Sequence, residues 1–181
     1  MTINGDAIDE SDEGEGESLL DAPEEHLAAL GRDFMAAMQA IEKGEVDAGE
    51  KALREILKVE PRLAEPRLEL ARLRLLAEDL ESAEVHARQA VALLDAGGQW
   101  NMDVPEAVMA SLAHGLLGEI LREKASADGV LDGPAETFQA VLREAQLQFQ
   151  VAADRDPENE HARYHAFHLG LQIDEGDASE N

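Results

Sequence analysis

From Leu27 onward, apolar side chains return every three or four residues: Leu27, Leu30, Phe34, Met38 and Ile41 make one stripe, and Gly44 ends it. That spacing is the period of a helix with one buried face. Residues 21–25 supply a start signal, with Asp21 or Ala22 at the cap, Pro23 in the first turn and acids near the positive helix end. A second stripe of Ala52, Leu53, Ile56, Leu57 and Val59 predicts a helix over 47–59 that stops before Pro61. The same pattern predicts helices over 64–78, 80–95, 105–124, 135–155 and 158–173, seven in all. Two longer loops, 97–103 and 126–134, are rich in turn residues. The apolar content is mainly Ala and Leu, with 3% aromatics and few β-branched residues, so an all-α fold without strands is expected.

The helices also repeat. Aligned on Gly44 and Pro61, a first unit runs from Leu30 to Leu63, and a shift of 34 residues gives a second, Ala64 to Gly97, with Glu78 and Asp79 in its turn and Ala83, Ala87 and Ala90 on one helix face. Further along, Ala145, Phe149, Ala152 and Pro157 stand at the second-helix spacing of Ala, aromatic, Ala and terminal Pro that marks the tetratricopeptide family, which residues 30–173 resemble. The units depart from the family in having Gly49 where Ala is usual and Asp95 where Pro is usual. For the third unit, Leu117, Gly118 and Leu121 match the first helix, Leu112 and Ala113 being the alternative register. The last helix resembles the first helix of a fourth unit that caps the stack.

The resemblance implies antiparallel helix pairs stacked as a short right-handed superhelix, in which neighbouring pairs bury the face that no single pair can cover. It also implies function by binding, with first helices lining a concave groove for a partner segment. Carried onto this chain, the groove positions are Phe34, Met38 and Ile41, then Leu68, Arg72 and Leu75, then Glu119 and Arg122, then Arg163 and Phe167. The arginines could fork to a partner's carboxylate, or pair with Glu65 and Glu69 in the chain itself. Some family members clamp a C-terminal carboxylate with Lys and Asn at first-helix positions; here those positions hold Phe34, Met38, Glu65 and Glu69, which argues against that clamp. Trp100, the single Trp, either packs over the second pair or offers a contact.

The formal net charge of −25 is uneven along the chain. Residues 1–21 carry eight acids and no Lys or Arg, and 174–181 add four more. These ends are expected to be disordered acidic tails around a helical domain over 22–173, because so few apolar residues cannot offset the entropy of ordering. The acidity disfavours nucleic acid and anionic membranes and favours basic partners, so a second reading is an acidic, chaperone-like or nucleic-acid-mimicking protein acting through its charged surface and N-terminal tail. No apolar run is long enough to span a bilayer, no secretory signal layout is present at the N-terminus, and a cytoplasmic location is the expectation. Self-association stays open, because an end of the stack near Leu27–Ile41 has no evidently polar cap.

Nothing in the chain calls for an enzyme or a cofactor. With zero Cys there is no thiolate chemistry, and no glycine-rich phosphate loop or nucleophile elbow occurs. Carboxylate pairs carry no signal among 40 acids, and Glu50/Arg54 and Glu84/Arg88 have the spacing of solvated helix faces. No metal site is expected: His161, His165 and His168 share one helical face and could chelate a divalent ion with Glu158 or Glu160 as the local acids, but the set is short of a fourth ligand and such a face is more often polar cap surface.

Overall fold

The computed structural model describes residues 24–99, 103–131 and 133–179. Among these residues there is no strand, and the helices are α1 (Glu24–Glu42), α2 (Val46–Val59), α3 (Glu65–Leu76), α4 (Leu80–Asp95), α5 (Glu106–Ser126), the single turn α6 (Asp128–Leu131), α7 (Ala135–Arg155) and α8 (Glu160–Ser179). The fold is all-helical, with seven long helices. The expected N-terminal tail, the start signal at Asp21–Pro23 and Trp100 lie outside the described residues.

Local chemistry sets the boundaries. α1 ends at Gly44, whose φ of 84° is left-handed backbone that glycine enters without a Cβ clash. Pro61 follows the end of α2, and prolines at 105 and 134 immediately precede α5 and α7. Asp79 caps α4 by accepting from the Ser82 amide at 3.2 Å. The connections are so short that each long helix packs on the next: α1 on α2, α2 on α3, and so on through α7 on α8, with α6 touching both α5 and α7.

Burial repeats at the same 34-residue shift as the sequence. Leu30 and Ala64, Ala37 and Ala71, Gly49 and Ala83, Leu53 and Ala87, and Ile56 and Ala90 are all buried. The unusual Gly49 has a steric cause: a Cβ there would stand 2.4 Å from Ile41 Cγ1 and 2.9 Å from the Ala37 carbonyl oxygen. α1 and α2 touch too closely for even alanine. In the third pair, the missing Cβ is on the first helix instead. A Cβ on Gly118 would lie 3.0 Å from the ring of Phe149, which is fully buried.

Among the described residues the core forms one large cluster and three small ones. The large one gathers Leu117, Ile120, Leu121, Leu142, Phe149, Leu169 and Ile173 with the small residues of α3, α4 and α7, and so joins the C-terminal half to Ala71 and Ala83. The small ones centre on Leu30 and Leu63, on Leu53 and Leu70, and on Leu94 and Met109.

Helical structure exceeds expectation in two places. The segment expected as a loop at 126–134 contains the turn α6, and α8 continues past 173 to Ser179, into the stretch expected as a C-terminal tail. Ile173 is buried and anchors α8 one turn before those last residues, which gives the backbone a seated end from which to propagate. No described helix is long and apolar enough to cross a membrane.

Candidate functional site

The last helix carries most of the unusual chemistry, and its position is fixed at its first turn. Asn159 accepts from the Ala162 amide at 3.0 Å, capping α8, and its side-chain amide donates to Ser111 Oγ at 2.9 Å. Ser111, fully buried on α5, donates in turn to the Ala152 carbonyl of α7 at 2.7 Å. One short chain of hydrogen bonds therefore sets α8 against both α5 and α7.

From that anchor the helix sorts its side chains by face. Ala162, Ala166, Leu169 and Ile173 enter the core. On one flank, His161 and His165 stand one turn apart with ring centroids separated by 4.4 Å. Phe149 supports both, stacking on His165 at 4.9 Å and meeting His161 edge-on at 5.9 Å. Glu119 reaches in from α5: its Oε2 is 3.8 Å from His161 Nε2, and potential ligand atoms of Glu119, His161 and His165 all lie within 4.8 Å of one another. His168, the third histidine expected in the set, packs on Tyr164 at 4.1 Å instead. The carboxylate that joins the pair is thus Glu119, and neither Glu158 nor Glu160 belongs to the group.

The electrostatics of this cluster are mixed. Arg122 donates to Glu119 at 2.7 Å and also bonds Glu123. The bond from Arg122 holds the Glu119 carboxyl below its ordinary range despite partial burial. Burial, and then the neighbouring His161, lower the proton affinity of His165.

The opposite flank of α8 borders an open groove of about 830 Å³ against α7, lined by Gln146, Gln150 and Ala153 on one side and by Arg163, Tyr164, Phe167 and Leu171 on the other. Glu160 and Asp174 stand in the same lining. Tyr164 is 58% exposed, Phe167 64% and Leu171 46%. A second cavity of about 490 Å³, lined in part by Arg122, Leu131, Phe138 and His168, opens beside α6.

The groove positions expected from the sequence do not all share one surface. Arg163 and Phe167 line the α7/α8 groove. Phe34 and Ile41 are half-buried and pack on the small N-terminal clusters, Leu68 packs on the Leu94 cluster, and Leu75 packs on the large core. Met38 is half-buried. Arg72 is exposed and paired with Glu69, and Arg122 is held by Glu119 and Glu123. Two of the three arginines at the expected groove positions are therefore already bonded within the chain. Tyr164 and Leu171 were missed, although they share a helical stripe with Phe167 at i, i+3 and i+7.

The carboxylates expected on solvated faces do more than that. Glu50 takes Arg54 within α2 and also Arg74 of α3. Glu84 of α4 takes Arg88 at 2.8 Å and Lys124 of α5 at 2.7 Å, while Arg88 also reaches Glu144 of α7 at 2.6 Å. Burial opposes ionisation of Glu84, but the bonds from Lys124 and Arg88 outweigh it and its pKa falls. Scanned against models of protein families and searched against curated proteins, the chain matches none.

Proposed function

We propose that the chain is a protein-interaction scaffold of the tetratricopeptide kind, and that it holds a segment of another protein along the groove between α7 and α8. The observation that carries this reading is the exposure of Tyr164, Phe167 and Leu171 along one open groove. The sequence has only four Phe, one Tyr and one Trp, so two exposed aromatics side by side are a concentrated contact surface rather than ordinary scatter. Aromatic side chains are enriched at protein interfaces, and Tyr is among the residues that carry most of the binding energy there. The partner segment would seat an apolar side chain between the two rings. Basic residues would flank it, attracted by Glu160, Asp174 and a net charge of −25.

The reading is tested by affinity capture with the full chain, followed by titration of the captured protein's basic-flanked apolar segment as a synthetic peptide. Phe167→Ala and Tyr164→Ala are each expected to weaken that peptide by about 30-fold, the scale of an interface hot spot, with helical content unchanged. Undiminished binding by the double variant overturns the groove. Binding that ignores both substitutions but disappears above about 0.1 M salt, where screening acts within about 10 Å, assigns the function to the acidic surface instead.

A further inference from the structure

We propose that Glu119 of α5 and His161 and His165 of α8 form a binding site for a divalent transition-metal ion of the Zn²⁺ class, which clasps the last helix to the stack. Two imidazoles and one carboxylate are a donor set that suits Zn²⁺ and its neighbours and disfavours Mg²⁺ and Ca²⁺, which take oxygen ligands. The donors come from two helices about 40 residues apart in sequence, so the set exists only in the folded chain.

The geometry is close to what an ion requires. With bonds of about 2.0 to 2.1 Å, tetrahedral ligands stand about 3.3 Å apart. Glu119 Oε2 and His161 Nε2 are at 3.8 Å and the whole set lies within 4.8 Å, so small side-chain rotations close it. The rings are supported for this purpose: Phe149, fully buried, stacks on one and abuts the other. Arg122 is the competitor, since it holds Glu119, but it already bonds Glu123 and has a second carboxylate to keep. Three protein ligands leave a fourth position for water, on the exposed side where His161 lies.

The test is calorimetric titration of the full chain with Zn²⁺ alone as the probe, in excess Mg²⁺ so that hard-ion sites among the surface carboxylates are occupied. One saturable site is expected, weakened at least about 10-fold by each of His161→Gln, His165→Gln and Glu119→Gln, and untouched by His168→Gln. Arg122→Gln is expected to bind Zn²⁺ more tightly, a gain that damage to the fold would not produce. Zn²⁺ should also slow amide exchange along α8 in the wild-type chain. The proposal is overturned if neither the wild type nor Arg122→Gln shows a saturable site, or if His168→Gln weakens binding as much as His165→Gln does.

Discussion

The first and third helix pairs solve the same packing problem with opposite substitutions. In α1/α2 the second helix gives up its Cβ at Gly49 so that Ile41 and the Ala37 carbonyl can approach. In α5/α7 the first helix gives it up at Gly118, and the space goes to the ring of Phe149. The middle pair, α3/α4, keeps Ala71 and Ala83 at these positions, both fully buried. Close helix approach is therefore conserved along the chain while the residue that permits it changes sides. Among the described residues Phe149 is the one fully buried aromatic, and His161 and His165 rest against its ring.

The largest test of this contrast is Phe149→Ala, expected to cost ~3–5 kcal/mol in denaturant unfolding, because the cavity would open at the centre of the largest cluster. Leu53→Ala at the corresponding place in the first pair is expected to cost ~2–5 kcal/mol, so a loss larger than that of Phe149→Ala would reverse the ranking of the two halves. Next come the glycines. Gly49→Ala overpacks a backbone carbonyl at ~1–3 kcal/mol, more than the ~1 kcal/mol of helix propensity that alanine returns, and should lower stability. Gly118→Ala presses only on a ring, so its cost should vanish when combined with Phe149→Leu; additive losses in that double-mutant cycle would refute the compensation.

A smaller effect concerns the turns. Gly44 and Glu78 occupy the same place in successive units, and Glu78 takes up a φ of 59°. Glu78→Gly should raise the unfolding midpoint, with a gain of up to ~1 kcal/mol from relief of the left-handed conformation. The smallest effect is pH-dependent. Burial, followed by Arg54, Arg67 and Arg74, depresses the pKa of His86 below its ordinary 6.5, while Glu50 opposes them. The folded chain then resists a proton that the unfolded chain accepts. The associated stability is fully present above pH 6.5 and is lost as the pH falls through that value. Between about pH 7 and about pH 5.5, His86→Gln should therefore reduce the fall in the urea midpoint. Carboxylates such as Glu50 and Glu84, with pKa values lowered from 4.5, titrate below this window.

The fold was largely legible because helical period and punctuation are local signals. Leu53, Ile56, Ala83, Ala87, Ala90, Ala145, Phe149 and Ala152 all entered the core as their spacing implied. α6 was not legible, since one turn contains too few residues to show a period. The surface was harder. Periodicity says which stripe of a helix is apolar, but Phe34 and Phe167 look alike by that measure, and only the next helix decides that one is half covered and the other open. The histidine cluster was half legible for a similar reason: His161 and His165 share a helix, whereas Glu119 joins them through the packing of α5 near α8, which no local pattern records.

The lock at the start of α8 also has a mechanical consequence. The bonds of Asn159 to Ser111 and of Ser111 to Ala152 lie at the end of the helix farthest from Ser179. Tension applied at the C-terminal end would peel the helix one turn at a time, first releasing Ile173, then Leu169, and meeting the hydrogen-bonded anchor last. Under such a load the root of α8, bonded to α5 and α7, would be the last part of the helix to leave the stack.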